Sequence, residues 1–200
     1  MKNQTNYVVF FDFETDGLPG RGGCLGYPVQ MTFQVVNYET RKIVKTYNKF
    51  IKGARYISNW VKEHTKVKSL GVLEYGESFE DAMNEMMKYS GLGYLWCAHN
   101  LEFDINVILN HAKHFVDIKK VRNQYTLCTC LSTTEFCKLP KTGKAAIYYP
   151  KGYKWPKLSE LSSILGIHFD ENEAHDSLYD VEKLRDCFFK CVDRGIISVL

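Results

Sequence analysis

The sequence predicts an α/β fold in a single domain over residues 1–200. Three observations carry that reading. The first fifty residues are strand-rich, with apolar runs separated by short polar turns. From Ser78 onward, apolar residues recur at helical spacing. A chain of 200 residues with 45% hydrophobic and 14% aromatic content can bury one sizeable core, which excludes a disordered chain.

The first strand is Tyr7–Phe13, an apolar and aromatic run that ends in acidic residues, as expected of a buried central strand whose C-terminal tip meets a site. Asp16-Gly17 and Leu18-Pro19-Gly20 turn the chain. Gln30–Asn37 and Ile43–Ile51 follow as strands around a polar turn at Glu39-Thr40-Arg41, so strands one to three form an antiparallel meander. Ile57–Thr65 fits a short helix. Ser78 caps the next one, with Asp81 near its positive end and Phe79, Ala82, Met83, Met86 and Met87 on one face. Methionines at that spacing read as core filler rather than a metal box. Gly91-Leu92-Gly93 ends this helix, and Tyr94–Ala98 is a fourth, buried strand. Ile105, Ile108, Leu109, Ala112 and Phe115 then mark a helix with Asp104 near its start, just past a strand tip. Tyr125–Cys130 is the fifth strand. Leu158–Leu165 is a helix that Gly166 stops, and the last helix runs from Ser177 to about Arg194 with Leu178, Val181, Leu184, Phe188 and Val192 inward.

No apolar run approaches the roughly 18 residues of a membrane span, so no membrane association is expected. The first six residues lack the apolar stretch of a secretory signal, which predicts an intracellular protein, cytoplasmic or nuclear. Cys24, Cys97, Cys128, Cys130, Cys137, Cys187 and Cys191 then read as reduced thiols. A zinc site on Cys128, Cys130 and Cys137 is the weaker reading, because Cys128 and Cys130 alternate along the predicted fifth strand. The net charge of +3 is too small to establish a polyanionic partner. Its distribution is more informative. Lys138 to Lys157 holds six lysines and no acidic residue, interleaved with Tyr148, Tyr149, Tyr153 and Trp155. That mixture suits phosphates and stacked bases, and equally a solvated loop with aromatics tucked onto the core.

Asp12, Glu14, Asp104, His175 and Asp180 sit in three short contexts: Phe11-Asp12-Phe13-Glu14-Thr15, Ala98-His99-Asn100-Leu101-Glu102-Phe103-Asp104, and His175-Asp176-Ser177-Leu178-Tyr179-Asp180. Residues 12 and 14 project to one face of a strand, so two carboxylates converge on one hard cation. Asp-x-Glu arises often by chance. Here it is embedded among Phe10, Phe11 and Phe13, where two negative charges require compensation, most simply by a divalent metal. Four carboxylates supply the charge for two ions about 3.5–4 Å apart, which together activate a water and stabilise the leaving oxygen of a phosphodiester. Asp12 is placed to bridge both ions, Glu14 and Asp180 to complete one coordination sphere, and Asp104 to hold the second. Magnesium fits the ligand hardness, with manganese as a substitute. His175, five positions before Asp180 and with an ordinary pKa of about 6.5, is the general base. His64, His111, His114 and His168 lack such a setting and read as structural or exposed.

In this order, on strand, helix start and final helix, the contexts resemble the DEDDh branch of the DnaQ-like 3′–5′ exonucleases in the ribonuclease H-like superfamily. Asp12 and Glu14 match its first motif, Ala98-His99-Asn100 with Phe103-Asp104 its second, and His175 with Asp180 its third. The resemblance spans Tyr7 to Arg194 and includes Thr15-Asp16-Gly17-Leu18 and Lys157-Leu158-Ser159-Glu160-Leu161. It implies a central five-stranded mixed sheet, antiparallel over strands one to three and then parallel, flanked by helices. It also implies a two-metal exonuclease that releases 5′-mononucleotides from a free 3′ end. The terminal nucleotide would be held by backbone at Thr15 and by Leu18, His99, Asn100 and Phe103. Asp16 departs from the usual Thr-Thr-Gly run and adds negative charge near the phosphates, while the stretch Lys138–Lys157 is longer than the most compact relatives need.

DNA with single-stranded or frayed 3′ ends is the favoured substrate, RNA the nearest alternative, and a polymerase or replication protein, as in proofreading, a partner the resemblance admits. A catalytically silent nucleic-acid-binding module is the rival from another class. The complete acidic set argues against it, since a pure binder gains nothing from clustering carboxylates against a polyanion.

Overall fold

The structure, a computed structural model, describes residues 5–17, 26–148 and 151–199. Leu18, Cys24 and Tyr149 lie outside the described residues. Strands β1 (Tyr7–Thr15), β2 (Pro28–Asn37) and β3 (Ile43–Phe50) form the antiparallel meander; β4 (Tyr94–Ala98) and β5 (Thr126–Cys128) are added parallel on the other side of β1. The five-stranded order is β3-β2-β1-β4-β5. The predicted mixed sheet is therefore the one observed.

Helices follow in chain order: α1 (Asn59–His64), α2 (Leu70–Glu74), α3 (Phe79–Met87), α4 (Leu101–His111), α5 (Ile118–Arg122), α6 (Thr129–Cys137), α7 (Gly143–Tyr148), α8 (Leu158–Leu165) and α9 (Ser177–Asp193). Among the described residues, no helix is long and apolar enough to cross a membrane. Ser78 caps α3 as expected, its hydroxyl accepting from the Asp81 N–H at 3.0 Å. Gly166 ends α8 in the left-handed conformation, φ 72°.

The fifth strand is shorter than its sequence suggests. Cys130 belongs to α6 rather than to β5, and Leu127 ends the apolar part of the strand. The run Thr-Cys-Leu-Ser-Thr-Thr-Glu-Phe-Cys carries β-branched residues and no helical apolar period, so local preference favours a strand. Tertiary packing overrides it: Thr129, Cys130 and Thr133 are buried, and the Thr133 and Thr134 hydroxyls donate to the carbonyls of Thr129 and Cys130 at 2.7 and 2.9 Å. The one-turn helices α2, α5 and α7 also leave no periodic signal.

Strand β1 is apolar on both faces because both are covered. Val9, Phe11 and Phe13 pack with Met83 and Met86 of α3 and Val107 and Ile108 of α4. Val8 and Phe10 pack with Leu161 of α8 and Val181 and Phe188 of α9, where Phe10 meets Phe188 edge-on at 5.1 Å. Asp12 and Glu14 continue this second row past its apolar end, so the alternation of the strand aims both carboxylates at the start of α9.

Beside them, β2 presents a buried polar row, Gln30, Thr32 and Gln34. All three reach α9. Gln30 Nε2 donates to Asp176 at 3.0 Å, Thr32 and Ser177 hydroxyls meet at 2.7 Å, and Arg185 donates to Gln34 Oε1 at 2.9 Å. Buried polar groups need partners, so these contacts fix α9 in one register over the sheet. Thr32→Val should cost about 1–3 kcal/mol, because it strips the buried Ser177 hydroxyl of its partner; urea denaturation of the two proteins measures the difference, and equal midpoints would contradict it.

Candidate active site

Asp12 and Glu14 stand at the C-terminal tip of β1, paired across β2 with Thr32 and Gln30. Asp104 arrives from the first turn of α4. Asn100 opens that helix from the left-handed region, φ 69° and ψ 47°, without a side-chain cap hydrogen bond. Asp104 is only 1% exposed, and its Oδ1 accepts from the Phe13 N–H at 3.2 Å, which docks the carboxylate onto β1 between Asp12 and Glu14. Asp180 lies in the first turn of α9, capped by Asp176.

His175 just precedes α9, in a left-handed conformation with φ 64°. Its backbone N–H donates to Asp180 Oδ2 at 3.0 Å. One ligand atom each from Glu14, His175 and Asp180 lies within 4.8 Å of the others. The structure thus brings together the five residues read from three distant contexts.

It also adds three that sequence reasoning did not assign. The Trp60 ring of α1 meets the His175 ring in a T-shaped contact at 5.0 Å and stacks on His64 at 4.7 Å. Lys66 pairs with Glu173 at 2.8 Å and ties the end of this segment to the His175 loop. Asp176 is the third, a carboxylate whose field reaches Asp12. Only Asp176 had a signal in the sequence, its place beside His175; Trp60 and His64 come together with the site through tertiary packing alone.

The predicted nucleotide contacts divide. Phe103 is half-buried on the first turn of α4. Thr15 is buried and its hydroxyl donates to the Gly17 carbonyl at 2.8 Å. The Asp16 carboxylate accepts from the Tyr27 N–H at 2.9 Å, so it closes the loop after β1 instead of standing free near phosphates. His99 is held by the protein itself. Burial pushes its imidazole down to about 4, so it is neutral: Nε2 donates to the Pro156 carbonyl at 2.9 Å and Nδ1 lies 2.9 Å from the Thr129 hydroxyl. The ring bridges β4 to the segment before α8, and a sugar or phosphate would meet its edge only by displacing one of these bonds.

Like charges buried together disfavour ionisation. Burial first, and the Asp176 charge second, push Asp12 up to about 7; burial and the Asp12 charge push Asp180 up to about 8. Glu14 and Asp104 are raised well above the carboxylate range, again by burial and then by Asp12. Oδ2 of Asp12 is buried without a hydrogen-bond partner among the described residues. A converging set of hard oxygen donors, one of them orphaned, fits a divalent cation such as Mg²⁺ or Mn²⁺, with Asp12, Glu14, Asp104 and Asp180 as the residues able to hold it. Burial, and then the His64 charge, lower the His175 imidazole, which keeps it unprotonated at neutral pH.

A mixed sheet with this acidic cluster at the tip of its central strand defines a ribonuclease H-like nuclease. The chain belongs to the RNase_T exonuclease family, matched over residues 9–188, in its DEDDh, DnaQ-like form. It is accordingly an exonuclease, a hydrolase of phosphodiester bonds. Its fold is similar to that of a full-length 3′-exonuclease, at 15% identity and TM-score 0.68 over 96% of this chain and 84% of the other. It is similar also to the nuclease domain of 3′hExo, a DEDDh family member bound to rAMP, at 12% identity and TM-score 0.68 over 98% and 96% of the two chains. E. coli ExoI, in a complex with ssDNA, is a third: 19% identity and TM-score 0.69 over 96% of this chain and 41% of that one. No curated protein is significantly similar in sequence.

Acids raised in the folded state stabilise it only while protonated. Their contribution is whole below the ordinary 3.8 and is lost as pH rises through about 7 for Asp12 and about 8 for Asp180. Without divalent cations, Tm should therefore fall across that window, and Asp180→Asn, which removes one of the crowded charges, should raise Tm at pH 8 by several degrees. Adding Mg²⁺ should stabilise the wild type more than the variant. Thermal melts with EDTA and with Mg²⁺ test this; a variant less stable than wild type at pH 8 in EDTA would contradict it.

Proposed function

We propose that the protein is a two-metal-ion 3′–5′ exonuclease acting on single-stranded or frayed 3′ ends of DNA and releasing 5′-mononucleotides. The observation that carries this reading is the convergence of Asp12, Glu14, Asp104 and Asp180 in one cluster, with a buried Asp12 oxygen that has no partner among the described residues. Bound there, divalent ions would lower the pKa of the attacking water and neutralise charge on the leaving oxygen. The four carboxylates would hold those ions, with Asp12, whose charge acts on the other three, placed to serve both.

His175 takes the proton of the attacking water. Its neutral ring and its place beside Glu14 and Asp180 suit it to that step, and the T-shaped contact with Trp60 holds the imidazole in its orientation. Phe103 and backbone at Thr15 contact the terminal nucleotide, with Asn100 beside them, while His99 holds the wall behind. Leu18 completes this set by its place in the first motif.

The DNA reading draws on structural neighbours solved with ssDNA and with 5′ overhanging duplex DNA. A second reading, an exoribonuclease, draws on those bound to rAMP and to a histone mRNA stem-loop. A time course with 3′- and 5′-labelled DNA and RNA of one sequence separates the two. DNA should be shortened from its 3′ end and faster than RNA, only with divalent metal; faster loss of RNA would move the substrate to RNA, and 5′ trimming would end the polarity assignment. Asp12→Asn should abolish degradation with the fold retained by circular dichroism. His175→Asn should lower kcat by roughly 10²- to 10⁴-fold with little change in metal affinity.

A further inference from the structure

We propose that the strap between α6 and α8, at residues 138–148 and 151–157, is the track that holds the substrate strand upstream of its cleaved end. This rests on the exonuclease reading and extends it to a surface outside the catalytic pocket. Without the six strap lysines the chain would hold 20 Lys and Arg against 23 Asp and Glu. The strap therefore carries the whole positive surplus of a protein whose active site is a cluster of carboxylates. A polyanion that must approach those carboxylates needs its attraction supplied elsewhere.

The described residues of the strap are tied to one another and to the second motif. Its two arms close on each other, the Lys154 N–H donating to the Leu139 carbonyl at 2.9 Å and Lys141 Nζ donating to the Lys151 carbonyl. Lys154 also pairs with Glu160 at the start of α8. The Pro156 carbonyl accepts from His99 at 2.9 Å and from the Cys130 thiol at 3.5 Å, so the foot of the strap is bolted to the second motif. Two of the six lysines, Lys141 and Lys154, are half-buried and serve this closure. The other four, Lys138, Lys144, Lys151 and Lys157, are exposed. Trp155, one residue from the Pro156 anchor, is 54% exposed, and Ile147 on α7 is 74% exposed. Exposed ammonium groups spaced along the strap suit successive phosphates, and an exposed indole next to the Pro156 anchor suits a base just upstream of the terminal nucleotide.

The test pairs a long and a minimal substrate. Binding of 5′-fluorescein dT20 is followed by anisotropy across a KCl series in the inactive Asp12→Asn background, with and without Lys144→Ala/Lys151→Ala. Loss of two single-strand phosphate contacts should reduce the salt slope by about 1.4 and weaken binding on the order of tenfold. Trp155→Ala should weaken it by a similar factor with the slope unchanged. In the active background, the same substitutions should slow degradation of dT20 at low strand concentration and leave hydrolysis of thymidine 5′-(4-nitrophenyl phosphate), which has no upstream strand, as in wild type. Equal slopes and equal dT20 degradation would overturn the track and leave the exonuclease reading standing. Failure of the wild type to hydrolyse either substrate would overturn the exonuclease reading, while the anisotropy slopes still decide the track.

Discussion

Repulsion among buried carboxylates is the constraint on which this molecule turns. Asp12, Glu14, Asp104 and Asp180 each raise the cost of ionising another, and burial raises the cost of ionising all of them. A soft scaffold would relieve that tension by letting the acids drift apart into water. The chain prevents this by carrying each acid on an element anchored elsewhere. Asp12 and Glu14 extend a strand buried on both faces, Asp104 is tied to the backbone of that strand, and Asp180 lies in the first turn of a helix seated by aromatic packing and three polar contacts, one buried and two part-buried. Cations held by these carboxylates would return the free energy given up in crowding the charges, which would couple metal binding to fold stability.

Polar contacts and apolar packing divide the work of seating α9. Phe188 and Val181 supply most of the burial against β1, yet apolar packing alone tolerates a shift along the sheet. The β2 row of Gln30, Thr32 and Gln34 does not, since each side chain has a partner on the helix or on its N-cap. Directional bonds thus set where Asp180 stops relative to Glu14, and oily contacts hold it there.

Much of this was legible in the sequence. The run from Tyr7 to Thr15 announces a strand covered on both faces, and its parity places Asp12 and Glu14 on one side. Caps and apolar periods mark α3, α8 and α9. Helix α6 was not legible, because threonine and cysteine favour extended backbone locally and the helix forms on the strength of burial and hydroxyl back-bonding. His64, whose sequence setting looks ordinary, lies near His175 because Trp60 stacks on the one ring and meets the other. His99 shows the converse: a residue with a strong motif signal whose ring nitrogens the structure finds already engaged with Thr129 and Pro156. Motif spacing reports which residues share a neighbourhood; which way a ring is turned depends on partners that spacing does not contain.

Asn100, which opens the helix carrying Asp104, and His175, which precedes the cap of the helix carrying Asp180, both sit at positive φ. An L-residue with a bare Cβ pays on the order of 1 kcal/mol to sit there, whereas glycine and asparagine sit there with little strain. Alanine scanning at either position would then mix two signals, chemistry removed and a hinge put under torsion, and would credit the side chain with both. Glycine at 100 and asparagine at 175 separate the two, because the backbone keeps its turn while the functional group is gone.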